Sequence, residues 1–424
     1  NQVGVDKLFK TGGRLGVTLA NDILRYFTGD PRREATSVIA VNLVQPLLRG
    51  AGADVVAENL TQAERNVIYE LRSFTQFQRS FAVDIISTYY RILREKDTVR
   101  NNYDNYQRLI MASDRAEALA KDRLPAVQAD QSKQSELRAK RGYVASIKRY
   151  EDTVDSFKLT LGLPLSAKIN LDDRALDEIR NVGLIPLALD EATGYQIAVQ
   201  HQLDLLNDID KLEDSQRKMK VAANQLKTQL DFFANASLES NGPNDYARFD
   251  PDKIRGSMGL QLNLPLDRLR ERNTYRTRLV DFERQIRTLS LALDNARQDV
   301  NEGLRQLQET QREYEIQQTE LVLAQRRVDR ETMLVQAGRT EIRNQLEAQD
   351  SLIQAKNGLT QTLVDYHVAR LQLLLNIGAL NTDVEKFWLH ERPILENIKL
   401  PATPAKRPEP PDAVMTPDQL FKTE

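Results

Sequence analysis

Two periodicities divide this chain. In Met258–Leu266 the residues Met258, Leu260, Leu262, Leu264 and Leu266 alternate with Gly259, Gln261, Asn263 and Pro265. That period of two leaves one face apolar, the mark of a half-buried strand. With no turn between, the period changes. Leu279, Phe282, Ile286, Leu289, Leu293, Ala296, Val300, Gly303 and Leu307 recur at threes and fours, and Tyr314, Leu321, Ala324 and Val328 stay in phase. This is a heptad seam, predicting one long helix that runs to Gly338.

The same alternation of patterns occurs earlier. Arg14–Ile23 places Leu15, Val17, Leu19 and Ile23 on one side, and Ser37–Leu47 places Ile39, Val41 and Leu43 likewise. Thr28-Gly29-Asp30-Pro31-Arg32-Arg33 between them is a polar turn. Ala53–Leu124 holds neither Gly nor Pro and carries Val67, Leu71, Phe74, Phe81, Ile85, Ile92, Val99, Tyr106 and Leu109 at helical spacing, so one helix is expected over it. Phe77, Tyr89, Tyr90 and Tyr103 widen that stripe, which predicts neighbours on more than one side. A second helix is expected over Ala126–Thr160, stopped by Leu161-Gly162-Leu163-Pro164. Residues 165–189 read as a connector, and Asp190–Asn224 as one helix. Gln225–Leu238 alternates as a strand, followed by a polar loop through Asn241-Gly242-Pro243-Asn244-Asp245. A last helix runs from about Thr340 to Asn376-Ile377-Gly378, and the proline-rich 400–424 is expected to be disordered.

Strand, strand, long helix, shorter helix and a glycine stop thus occur twice, which predicts an internal duplication. A shift of 219 lays Leu60, Glu64 and Arg65 over Leu279, Glu283 and Arg284, and a shift of 216 lays Gly162 over Gly378. The expected divisions are a β-hairpin over 1–49, a helical hairpin over 50–161 and a connector with helix over 162–224. A second β-hairpin over 225–268 and helical hairpin over 269–378 follow, then a short segment at 379–399 and the tail. The second half has a helix ahead of its first strand; the duplication predicts a counterpart ahead of Asn1.

Four strands of about ten residues, each with one apolar face, match the length of a tilted membrane-spanning strand. Four cannot close a barrel alone, and lipid does not tolerate open edges. Three copies sharing twelve strands would remove the edges. The alternative for the same pattern is a soluble coiled-coil scaffold with a small sheet. Composition narrows the choice of chemistry. The net charge of −2 gives no basic excess for nucleic acid, and the absence of cysteine removes thiolate sites and thiol catalysis. His201, His367 and His390 show no paired ligand spacing, and no nucleophile elbow or phosphate loop occurs, so neither an enzyme nor a cofactor or metal site is expected. Glu58 and Glu64 read as solvated helix carboxylates, and Trp388 as a packing anchor. Gly303, in the middle of a helix, marks a bend, a close helix approach or a neutral substitution.

Val44-Gln45-Pro46-Leu47-Leu48-Arg49-Gly50-Ala51-Gly52, Leu161-Gly162-Leu163-Pro164, His201-Gln202-Leu203-Asp204-Leu205-Leu206 and Ala337-Gly338-Arg339-Thr340 occur in an order and spacing that resemble the TolC-like outer-membrane efflux proteins. The resemblance implies a mainly α homotrimer: an α-helical barrel continuous with a shared 12-stranded outer-membrane β-barrel, four strands per protomer. It implies a Gram-negative-type outer membrane, contact with its lipid, a periplasmic tunnel, and partners in a periplasmic adaptor and an inner-membrane pump of RND or ABC type. The function implied is a passive exit duct for efflux or type I secretion. Aligned on Gly338, the family's constriction carboxylates fall on Asn344 and Glu347, with Gln128 and Gln131 as first-repeat counterparts. One acid is therefore an amide, and both residues also fit a plain solvated helix face. The adaptor-docking tips would be Asp122, Arg123 and Leu124, and Gly338, Arg339 and Thr340.

Overall fold

The computed structural model describes residues 1–25, 28, 33–121, 125–242, 247–383 and 386–389. The expected turns near 29–32 and 243–246, the proline-rich tail and His390 lie outside the described residues. In chain order the elements are β1 (Gln2–Leu8), β2 (Arg14–Arg25), β3 (Arg33–Pro46), α1 (Ala53–Val56), α2 (Glu58–Ala120) and α3 (Ala126–Thr160). Then come α4 (Arg174–Val182), α5 (Glu191–His201), α6 (Leu203–Gln225), β4 (Gln229–Glu239), β5 (Arg255–Asn263), α7 (Leu269–Gln336) and α8 (Ile342–Asn376). Two compact units result: Asn1–Ser73 with Asp204–Ala292, and Phe74–Leu203 with Leu293–Glu424.

In the first unit, the five strands form one antiparallel sheet in the order β1-β2-β3-β4-β5. The register carries one face across all of it. Val5 pairs with Val17, Val17 with Val41 and Val41 with Ala236; Leu19 pairs with Ile39 and Ile39 with Leu238; Leu43 pairs with Ala234 and Ala234 with Met258. Among the described residues nothing covers the ends of this face: Val5 is 71% and Met258 79% exposed. The opposite face holds polar and small rows such as Asp6, Gly16, Asn42, Asn235 and Ser257, with Val44 and Phe233 paired on it as apolar exceptions. The expectation of four strands is corrected to five. β1 carries little strand signal, because only Val3 and Val5 mark its apolar side and Lys7 breaks the pattern. β4 begins at Gln229 rather than Gln225, since α6 extends through Gln225, and β5 ends at Asn263, leaving Leu264 and Leu266 in the passage to α7.

In this unit α2 and α6 are joined by ion pairs and hydrogen bonds. Asp214 accepts hydrogen bonds from Tyr69 Oη at 2.7 Å, Gln62 Nε2 at 3.0 Å and Arg217 at 2.8 Å. Arg65 pairs with Asp210 and Glu213, and Arg72 with Asp210. Burial opposes ionisation of Asp214, yet its three donors hold the carboxyl below the usual range. Glu58 is not solvated as expected. It is 8% exposed and accepts a hydrogen bond from Arg217 Nε at 3.0 Å, a partner 159 residues away. Glu64 is exposed, as read.

The second unit holds the main core. Ile92 and Leu93 of α2, Ile179 of α4, Ile197 of α5, Val300 of α7 and Leu371, Leu373 and Leu374 of α8 are among its buried residues. Gly303 marks a close approach: a β-carbon there would lie 2.8 Å from Leu373 Cδ1, and Leu373 is fully buried. Phe387 and Trp388 pack edge to face at the margin of this core, Phe387 being buried, so Trp388 is the anchor expected. His367 is buried and donates from Nε2 to the Gly183 carbonyl at 3.0 Å. The helix expected over Asp190–Asn224 is two, broken at Gln202, whose backbone is extended (φ −71°, ψ 112°). Against that break sits Gly378, where any β-carbon would overlap the His201 carbonyl. No glycine or proline marks the break; packing does. The helix expected to begin at Ala53 is likewise interrupted at Ala57, with α1 before it.

The duplication is plain in the elements. β2-β3-α2-α3 and β4-β5-α7-α8 follow the same order, and α3 and α8 are both 35 residues long. Each ends in the same closure: Gly162 (φ 69°) and Gly378 (φ 72°) donate to Leu159 and Leu375, and the next residues, Leu163 and Ala379, to Lys158 and Leu374. That pair of bonds satisfies the last helix carbonyls and requires a left-handed residue, which glycine adopts without strain.

Candidate functional site at the helical turn

α7 turns into α8 through Gly338, at φ 68°. Its N–H donates to the Val335 carbonyl at 3.0 Å, and that of Arg339 to Leu334 at 2.9 Å. Gly338 and Arg339 are exposed, and Thr340 is half-buried. The rotation of α8 is fixed by Ile342 and Leu346, which are buried with Leu109 and Ala116 of α2. Asn344 is left half-buried and Glu347 exposed.

The structure does not bring the two expected constriction residues together. Asn344 Nδ2 donates to Thr340 Oγ1 at 2.9 Å and so fastens the first turn of α8. Glu347 lies 3.7 Å from Arg327 of α7 and 3.8 Å from Arg343, one turn back on α8. One anion thus stands between two cations. Asp350 is half-buried a turn further on; burial pushes its carboxyl up, Arg138 of α3 pulls it down, and Glu347 adds to the rise. Sequence reasoning missed Arg327, Arg343 and Asp350. Arg343 was legible as the i−4 partner of Glu347, whereas Arg327 depends on how the turn brings α7 beside α8.

Asp122, Arg123 and Leu124 lie outside the described residues. In the first repeat Gln128 and Gln131 are both half-buried near the start of α3. Among the described residues no group of three or more His, Asp or Glu side chains is placed to hold a metal ion.

The sequence matches no protein-family model and no curated protein. The backbone does find neighbours. The outer-membrane channel OprN superposes with a TM-score of 0.67 at 11% identity, over 89% of this chain and 81% of that one. CmeC, the outer-membrane channel of Campylobacter jejuni, gives 0.63 at 10%, over 90% and 82%. The chain has the TolC-like fold. A third neighbour of that fold, the outer-membrane protein VceC of Vibrio cholerae, gives 0.61 at 13%, over 87% of each chain. These TolC-like neighbours are channel proteins, not enzymes. Among the described residues of this TolC-like chain no helix is long and apolar enough to cross a membrane. Its apolar surface lies instead on the sheet and along the long helices. Leu60, Val67 and Leu71 of α2, Phe74, Phe77 and Phe81 further along it, and Val280, Ile286 and Leu291 of α7 are all exposed.

Proposed function

We propose that this chain is a passive exit duct of a Gram-negative-type outer membrane, working as a homotrimer whose strands span the lipid. The observation that carries the reading is the apolar face running through every strand of the sheet, uncovered at its ends. Water does not favour such a surface, and lipid does. β2, β3, β4 and β5 have 12, 14, 11 and 9 residues, of the order needed to cross a bilayer at a tilt. The exposed stripes on α2 and α7 need partners as well, and further copies of the chain supply them. A soluble scaffold would leave both surfaces in water, so it is the weaker reading.

In this proposal the helical turns are where the duct meets its partners. Gly338, Arg339 and Thr340, with Asp122, Arg123 and Leu124, would dock a periplasmic adaptor that links the duct to an inner-membrane pump. Asn344 and Glu347 would stand at the constriction, with Arg327 and Arg343 moderating the acid. Cargo selection then belongs to the pump, whether the system exports small molecules or secretes protein.

Expression with an outer-membrane leader tests this directly. The chain is expected in the detergent-extracted outer membrane, at trimer mass by light scattering, and as a conducting pore in a planar bilayer. A water-soluble monomer or dimer would overturn it.

A further inference from the structure

All four strand pairs are antiparallel, so β1, β3 and β5 run one way and β2 and β4 the other. The sheet's edges are β1 and β5. A ring of identical copies related by rotation keeps each strand's direction along the axis. Joining β5 of one copy to β1 of the next would therefore set parallel strands side by side, and three copies would give an odd total of fifteen. Joining β5 to β2 of the next copy keeps every pair antiparallel and gives an even twelve, in line with bacterial single-chain barrels. The second joint needs the edge of β2 that β1 occupies.

β1 is suited to leaving. It has seven residues, fewer than any other strand, and all of them are exposed. Lys7 pairs with Leu15 and so shares the face of Val3 and Val5, placing a charge on the surface that would meet lipid. Charge on a short edge strand is also a common guard against indiscriminate pairing.

We propose that β1 is a removable edge strand, which covers β2 in the single copy and gives way to β5 of a second copy when the barrel closes. This rests on the channel reading above. The exchange replaces a seven-residue ladder with one of up to the nine residues of β5. Backbone groups on β2 stay paired, and Lys7 leaves the apolar face.

The absence of cysteine makes the test clean. The Asn21 N–H donates to the Asn1 carbonyl at 2.8 Å, so by alternation Gly4 and Thr18 form a non-hydrogen-bonded pair, the closer kind. A β-carbon on Gly4 would lie 3.4 Å from Thr18 Oγ1, which suits a disulfide. In the full chain carrying Gly4→Cys and Thr18→Cys, oxidation should lower the trimer yield at least tenfold in light scattering, and dithiothreitol should restore it. Val5→Pro removes a ladder donor from β1 and should speed trimer formation several-fold. An oxidised variant that trimerises like the wild type, or Val5→Pro without acceleration, would show that β1 stays. A wild type that never trimerises would remove the channel reading itself, and this inference with it.

Discussion

Glu347 and Arg327 stand 3.7 Å apart across the turn at Gly338, one on each helix of the second hairpin. Arg343, at 3.8 Å, is shared with Glu341 at 4.0 Å, and Glu347 contributes one negative charge to this network. Glu347→Ala should therefore shift the pore's ion preference toward anions by a few-fold, read as a reversal-potential change under a salt gradient in a planar bilayer. Both partners are about half exposed, so folding stability should change by less than about 1 kcal/mol. An unchanged reversal potential would remove Glu347 from the constriction.

His367 links acidity to stability. Burial, resisted by the hydrogen bond to Gly183 and helped by Arg370, pushes its imidazole from 6.5 down to about 4. The unfolded chain takes up the proton first, so stability is full above about pH 6.5, declines between there and pH 4, and then levels. The decline should be of the order of 3 kcal/mol. Denaturant titrations in detergent at pH 7.5 and 4.5 measure it, and His367→Gln should flatten the difference. An equally steep decline in that variant would assign it to other groups.

The Asp214 network acts lower on the scale. Its carboxyl titrates below the ordinary 3.8 in the folded chain, so its contribution is complete above that value and is lost as the pH falls through the folded value. Tyr69→Phe removes a hydrogen bond to a buried charge and should cost about 2 kcal/mol at pH 7. The penalty should shrink as the pH falls through the folded value, and thermal unfolding followed down the acid range would reveal a constant one.

The two helix-stop glycines should respond unequally. Gly162 has open space where a β-carbon would go, so Gly162→Ala meets only the left-handed backbone penalty of about 1 kcal/mol. Gly378→Ala adds an overlap with the His201 backbone and should cost at least about 3 kcal/mol. Equal losses of stability would mean that the α5–α6 break yields to Gly378.

These contrasts mark what the residues disclose on their own. Gly162, Gly338 and Gly378 announce their helix ends because a positive φ is a local demand. The long strands β2 to β5 are legible because their alternation is long and regular. β1 is too short and too charged at Lys7 for the same test. Glu58 looks solvated until Arg217 arrives from another helix, and Gln202 looks helical until Gly378 presses on it. Arg327 gains its place beside Glu347 through the turn alone. Local chemistry shows in a sequence window; packing across more than a hundred residues does not.

The four residues of α1, Ala57 and the 63 of α2 make 68, the length of α7. Together with the matched 35-residue α3 and α8, that equality carries one shift of 216 through both hairpins, from Ala53 and Leu269 to Thr160 and Asn376, in place of the 219 read at Leu60 and Leu279. Ala57 is where the two hairpins differ without a difference in length. Continuity was surrendered there and the residue count retained, which gives one hairpin a joint that its twin lacks.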